Sequence, residues 1–90
     1  MGLLGATYGD STFIAVGNSG NFITSEDGTM WTKGKVRTKN HLRGAAYGDG
    51  KFVMVGNAGT IYTSQDANTW TKSKSGTSRH LRRVYFKLSE

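Results

Sequence analysis

Apolar positions in this chain come in short runs set apart by turn-forming residues. Phe13-Ile14-Ala15-Val16, Phe22-Ile23, Ala45-Ala46-Tyr47, Phe52-Val53-Met54-Val55 and Ile61-Tyr62 are divided by clusters of Gly, Asn, Asp and Ser. β-Branched and aromatic residues in such brief runs predict strands. The clusters between them predict tight turns, because Gly and Asn accept positive φ and Asp bonds its own backbone. Leu, Ala and Glu do not dominate, which points away from helix.

The runs recur. Tyr8 and Tyr47 stand 47 − 8 = 39 positions apart. The same offset carries Phe13 to Phe52, Val16 to Val55, Gly17 to Gly56, Asn18 to Asn57, Gly20 to Gly59 and His41 to His80. Roughly half of the aligned positions are identical, with no insertion. Repeat 1 covers about residues 3–41, repeat 2 about residues 42–80, and a partial strand follows over 81–90.

Each repeat divides into four strands. In the second, strand A is Leu42 to Tyr47, B is Lys51 to Val55, C is Thr60 to Ser64, and D runs from Thr69 to about Lys74. Tight turns join successive strands, which predicts an antiparallel meander. Strand B is apolar at every position from Phe52 to Val55, so it is expected to be covered on both faces. A meander covered on both sides and repeated at this spacing predicts an all-β fold, a β-propeller of four-stranded antiparallel meander blades with two blades per chain. Gly44-Ala45-Ala46 suits an innermost strand, where blades crowd, and the polar strand D suits the outer rim.

Ser64-x-Asp66-x-x-Thr69-Trp70, preceded by Ile61-Tyr62-Thr63, resembles the Asp-box repeat of sialidase-like (BNR-type) β-propellers, as does Ser25-x-Asp27-Gly28-x-x-Trp31. Both boxes are one residue shorter than the usual spacing, and Ala67 stands where Gly is common. The aromatic-Val-x-Val-Gly-Asn-x-Gly string also resembles blades of bacterial and phage surface propellers. The resemblance implies that Asp27 and Asp66 tie down the turn between the third and fourth strands, and that Trp31 and Trp70 pack between blades. It speaks to fold rather than function, since such blades serve lectins, hydrolases and structural parts alike.

Two blades cannot close a ring, and alone they expose two apolar faces. A chain of 90 residues calls for disulfides, a metal or association. Cys is 0, which excludes disulfides, and two His without Cys argue against a structural metal. Either the chain self-associates or it is a piece of a longer polypeptide; the main expectation is a head-to-tail homo-oligomer, a trimer giving six blades or a tetramer giving eight. His80-Leu81-Arg82-Arg83-Val84-Tyr85 begins where a third strand A would start, and reads either as a strand lent to a neighbouring copy or as a frayed tail. No stretch approaches the length of an apolar membrane span, and Met1 to Asp10 carries no basic n-region of a signal peptide.

Candidate chemistry is sparse. Asp27 and Asp66 occupy one repeated position and read as turn formers. Asp10, Asp49, Glu26 and Glu90 supply no carboxylate pair facing one sugar bond. Ser25 and Ser64 lack a partner His, and His41 and His80 read as loop hydrogen-bonders. Gly17-Asn18-Ser19-Gly20 and Gly56-Asn57-Ala58-Gly59 precede strands and offer no helix N-terminus to a phosphate. Neither an enzyme nor a cofactor is expected.

Charge placement is the functional clue. The net charge is +6, and ten basic residues fall in two windows, Lys33 to Arg43 and Lys72 to Arg83. Arg37, Lys39, His41, Arg43, Arg79, His80, Arg82 and Arg83 form a candidate face for anionic ligands, at the end of the meander opposite most of the acids. Three function classes follow. The first is a ring binding glycans in a lectin-like way. The second is a structural or protein-interaction propeller, including a truncated or engineered fragment without a ligand. The third is a polyanion or nucleic-acid binder.

Overall fold

A computed structural model describes residues 2–74, 76–77 and 79–81. They form two four-stranded antiparallel sheets, each a meander in chain order, with no α-helix among the described residues. The first sheet holds β1 (Leu3–Gly9), β2 (Thr12–Gly17), β3 (Asn21–Ser25) and β4 (Thr32–Lys35). The second holds β5 (Leu42–Gly48), β6 (Lys51–Gly56), β7 (Ile61–Ser64) and β8 (Thr71–Ser73). The expected repeat of strands and turns is therefore present twice.

Two strand starts shift, each for a visible reason, while strands A and B each run one residue further than expected and D ends at Ser73. Strand C was expected from Thr60, yet β7 begins one residue later: Asn21, the equivalent of Thr60, pairs with Lys35 in the first sheet, whereas β8 ends at Ser73, one residue short of Lys74. Strand D was expected from Thr69, but the Asp66 carboxylate accepts the Thr69 N–H at 2.8 Å, and β8 starts at Thr71. Of the expected partial strand over 81–90, the Leu81 N–H donates to the Gly56 carbonyl at 2.8 Å, while residues 82–90, on which the lent-strand and frayed-tail readings turn, lie outside the described residues.

The sheets stack face to face. Ile14, Val16 and Phe22 of the first meet Phe52, Met54 and Tyr62 of the second, with Leu42, Val36 and Ala67 completing a buried core. On β6 the buried side chains Phe52 and Met54 alternate with Val53 and Val55, which look away from the first sheet. The far side is also partly covered, since Val55 is buried and Val53 half-buried. Burying a Phe, Ile or Met side chain is worth about 1.5–3 kcal/mol, so this seam dominates the stability of the pair.

Close approach of the first strands of the two sheets, β1 and β5, sets the geometry. A Cβ placed on Gly5 of β1 would lie 2.7 Å from the Arg43 carbonyl oxygen and 3.0 Å from the Gly44 Cα of β5. The small residues of strand A thus permit two backbones to pass within contact, as their composition suggests. Gly5→Ala is expected to force the strands apart and destabilise the fold by about 1–3 kcal/mol. Urea unfolding at matched protein concentration checks this, and an unchanged midpoint would contradict the close approach.

Candidate functional site

The repeated Ser-x-Asp turns use their polar groups internally. In the second sheet the buried Ser64 hydroxyl donates to Asp66 Oδ1 at 2.9 Å while its oxygen accepts the Ala67 N–H at 2.9 Å. Asp66 Oδ1 also accepts the N–H groups of Asn68 and Thr69, both at 2.8 Å. Ser25 and Asp27 repeat the arrangement on Gly28, Thr29 and Met30. The turn takes Gly28 at φ 78° in the first sheet and Ala67 at φ 63° in the second, a left-handed conformation that costs Ala more than Gly.

These bonds favour the ionised carboxylate. The N–H groups of Met30 and Thr29, and then the Ser25 hydroxyl, hold Asp27 below the ordinary Asp value; Thr69, Asn68 and Ser64 do the same for Asp66. A carboxyl with a depressed folded pKa contributes stability above its unfolded value near ~3.9, lost as pH falls through the lowered folded value. Asp66→Asn should therefore melt below wild type at pH 7, with the gap closing as both are acidified below about pH 4. A gap of constant size from pH 7 to pH 2 would contradict this.

The other end of each sheet carries the connections rich in Lys and Arg. His41 Nδ1 accepts the Ser19 N–H at 3.1 Å, across to the turn between β2 and β3. His80 Nδ1 accepts the Ala58 N–H at 2.9 Å at the equivalent turn of the second sheet. Both imidazoles thus hold the proton on Nε2 in this arrangement. The Arg43 Nε–H bonds Asn57 Oδ1. Ser19 and Ala58 both have φ 56°, so each histidine clips a turn with a left-handed residue.

The candidate anion face consequently divides. His41, Arg43 and His80 are engaged in holding turns. Arg37, Lys39 and Arg79 are exposed. Arg82 and Arg83 lie outside the described residues. Arg37 leads to a feature that the basic windows do not reveal. Between β4 with its exit loop and the outer part of the second sheet runs a groove of about 490 Å³, lined by Lys35, Val36, Arg37, Tyr62, Asn68, Trp70 and Lys72. A contiguous recess of about 650 Å³ adds Thr38 and Lys39.

Local structure explains the convergence. Lys72 pairs with Tyr62 across β7 and β8, so both project from the face turned to the first sheet. The Tyr62 hydroxyl donates to the Arg37 carbonyl at 2.9 Å and ties the two walls together. The Val36 N–H donates to the Gly20 carbonyl at 3.0 Å, which fixes the loop. Trp70 leans edge-on against Phe22, with ring centroids 5.5 Å apart. Its Nε1 is buried and has no hydrogen-bond partner among the described residues. Strand register alone would have paired Lys72 with Tyr62, but bringing Arg37 beside them required knowing how the sheets stack.

Each Ser-x-Asp turn also borders a shallow polar recess, about 220 Å³ around Thr12, Ser25 and Asp27 and about 380 Å³ around Lys51, Ser64 and Asp66. Among the described residues no group of three or more His, Cys, Asp or Glu is placed to hold a metal, and no helix is long and apolar enough to cross a membrane. Comparison with protein-family models and with curated proteins finds no match to this chain.

Proposed function

We propose that this chain is a non-catalytic β-propeller repeat protein whose two sheets are Asp-box blades, whose ring is completed by further copies of itself, and whose closed ring presents a binding surface for anionic ligands such as glycans. One comparison carries the reading. Tyr8 and Phe13 pack with ring centroids 4.5 Å apart, and so do their repeat partners Tyr47 and Phe52. Phe52 is 1% exposed because the first sheet covers it, whereas Phe13 is 38% and Tyr8 56% exposed. The same face is built twice and covered once.

The seam inside the chain supplies the template for the missing contact. Tyr47 lies over Gly9, where an added Cβ would fall 2.2 Å from its ring, and Trp70 packs on Phe22. Moving each residue by one repeat sets Tyr8 of one copy over Gly48 of the next, and Trp31 over Ile61. Trp31 is 43% exposed and Ile61 half-buried in the single chain. The contact uses two different faces, so it is head-to-tail and closes into a ring when the rotation per copy divides the circle. Three copies supply six blades and four supply eight. The carboxylates of Asp27 and Asp66 serve the turn backbone, which supports a structural rather than a catalytic role for them.

Light scattering tests the reading. The native chain should have a mass three or four times 9.8 kDa. Phe13→Asp, which sets a charge in the seam, should weaken association by about a hundredfold or more. A native chain that stays at 9.8 kDa at every concentration would overturn the proposal.

A further inference from the structure

The geometry points to the groove between the two sheets as a binding site for an acidic saccharide, one bearing sulfate or carboxylate groups on a pyranose ring. The inference deepens the proposed binding role, and it does not depend on ring closure, because both walls come from one chain.

Three cations, Lys35, Arg37 and Lys72, line the groove, Lys39 lines the contiguous recess, and none of the described lining residues is a carboxylate. Like charges gathered without a counter-charge favour an anion, and Arg presents a planar fork to carboxylate or sulfate oxygens. The fold does not require all of these charges. One repeat along, Lys35 and Lys72 recur as Lys74 and Lys33, but Arg37 corresponds to Gly76, Lys39 to Ser78 and Asn68 to Thr29. The intrachain groove is therefore chemically distinct from the groove that the same fold would build between copies.

The floor selects a saccharide over a bare anion. Trp70 is half-buried, and its one polar side-chain atom, Nε1, is buried, so the indole surface open to solvent is all carbon. A carbon ring beside cations complements a sugar, whose C–H face is apolar while its substituents are charged. The Asn68 carboxamide adds a donor and an acceptor for hydroxyls. The volume falls in the ordinary range for small-ligand sites, about 300–1,000 Å³. Single-stranded nucleic acid is less well matched, since it calls for successive aromatic platforms along a track. The other ring here, Tyr62, is buried with its hydroxyl donated to the Arg37 carbonyl.

Calorimetric titration of the full chain with a heparin tetrasaccharide tests the site, with the desulfated, neutralised tetrasaccharide and a short oligothymidylate run in parallel. Binding of one tetrasaccharide per chain is expected. The exposed triple variant Lys35→Gln, Arg37→Gln, Lys72→Gln should lose at least about tenfold in affinity. Removing equal charge elsewhere, with Lys33→Gln, Lys51→Gln and Arg79→Gln, should change it less than about threefold. Equal losses in the two triple variants would overturn the site in favour of diffuse charge. Equal binding of the neutral sugar would overturn the ligand class, and tighter binding of the oligothymidylate would make it nucleic acid. Light scattering on the same samples keeps the outcomes separate: a monomer that binds sustains the groove while removing the ring, and an oligomer that fails to bind does the reverse.

Discussion

A sheet one residue thick with apolar side chains on both faces is stable only when something lies against each face. That constraint organises this molecule. Phe52 and Met54 point one way from β6 while Val53 and Val55 point the other. The first sheet has the same construction, with Ile14 and Val16 turned inward and Phe13 turned out. Within the chain one seam satisfies one face of each sheet. The hydrophobic effect gives the remaining aromatic face the same tendency to be covered, whatever covers it.

The turns hold register independently of that seam. A buried Ser hydroxyl and one Asp oxygen collect the free N–H groups between the third and fourth strands in both sheets. These bonds are local, between residues two or three apart, so they require no partner from elsewhere in the fold. The histidine clips differ in kind. His41 joins residues 22 positions apart and ties the second sheet's entry to a turn of the first. Local turns therefore define each sheet, and the core with the His41 clip defines how the two sit together.

Much of this was legible in the residues. The 39-position offset, Gly and Asp at the turns, and the unbroken apolar strand B predicted two four-stranded meanders, which are present. The start of strand D slipped where a backbone N–H had a competing acceptor, the Asp66 carboxylate for Thr69, and that of strand C slipped because β8 stops at Ser73. Propensity does not register such competition. The basic windows were equally plain, but a count of charges could not show that Arg43 and His41 hold turns while Arg37 lines a groove with Lys72, 35 positions away (72 − 37). That grouping depends on the stacking of two sheets, a long-range property that no window of the sequence contains.

The central claim is that the outer aromatic face of the first sheet is covered in the assembled protein. Trp31 sits on that face, and in a Trp70→Phe variant it is the sole tryptophan. Quenching of its fluorescence by acrylamide, followed as the protein is diluted, tests the claim most directly. The account predicts a shielded indole at high concentration that becomes freely quenched as the assembly dissociates. An indole quenched with equal ease at every concentration would contradict it.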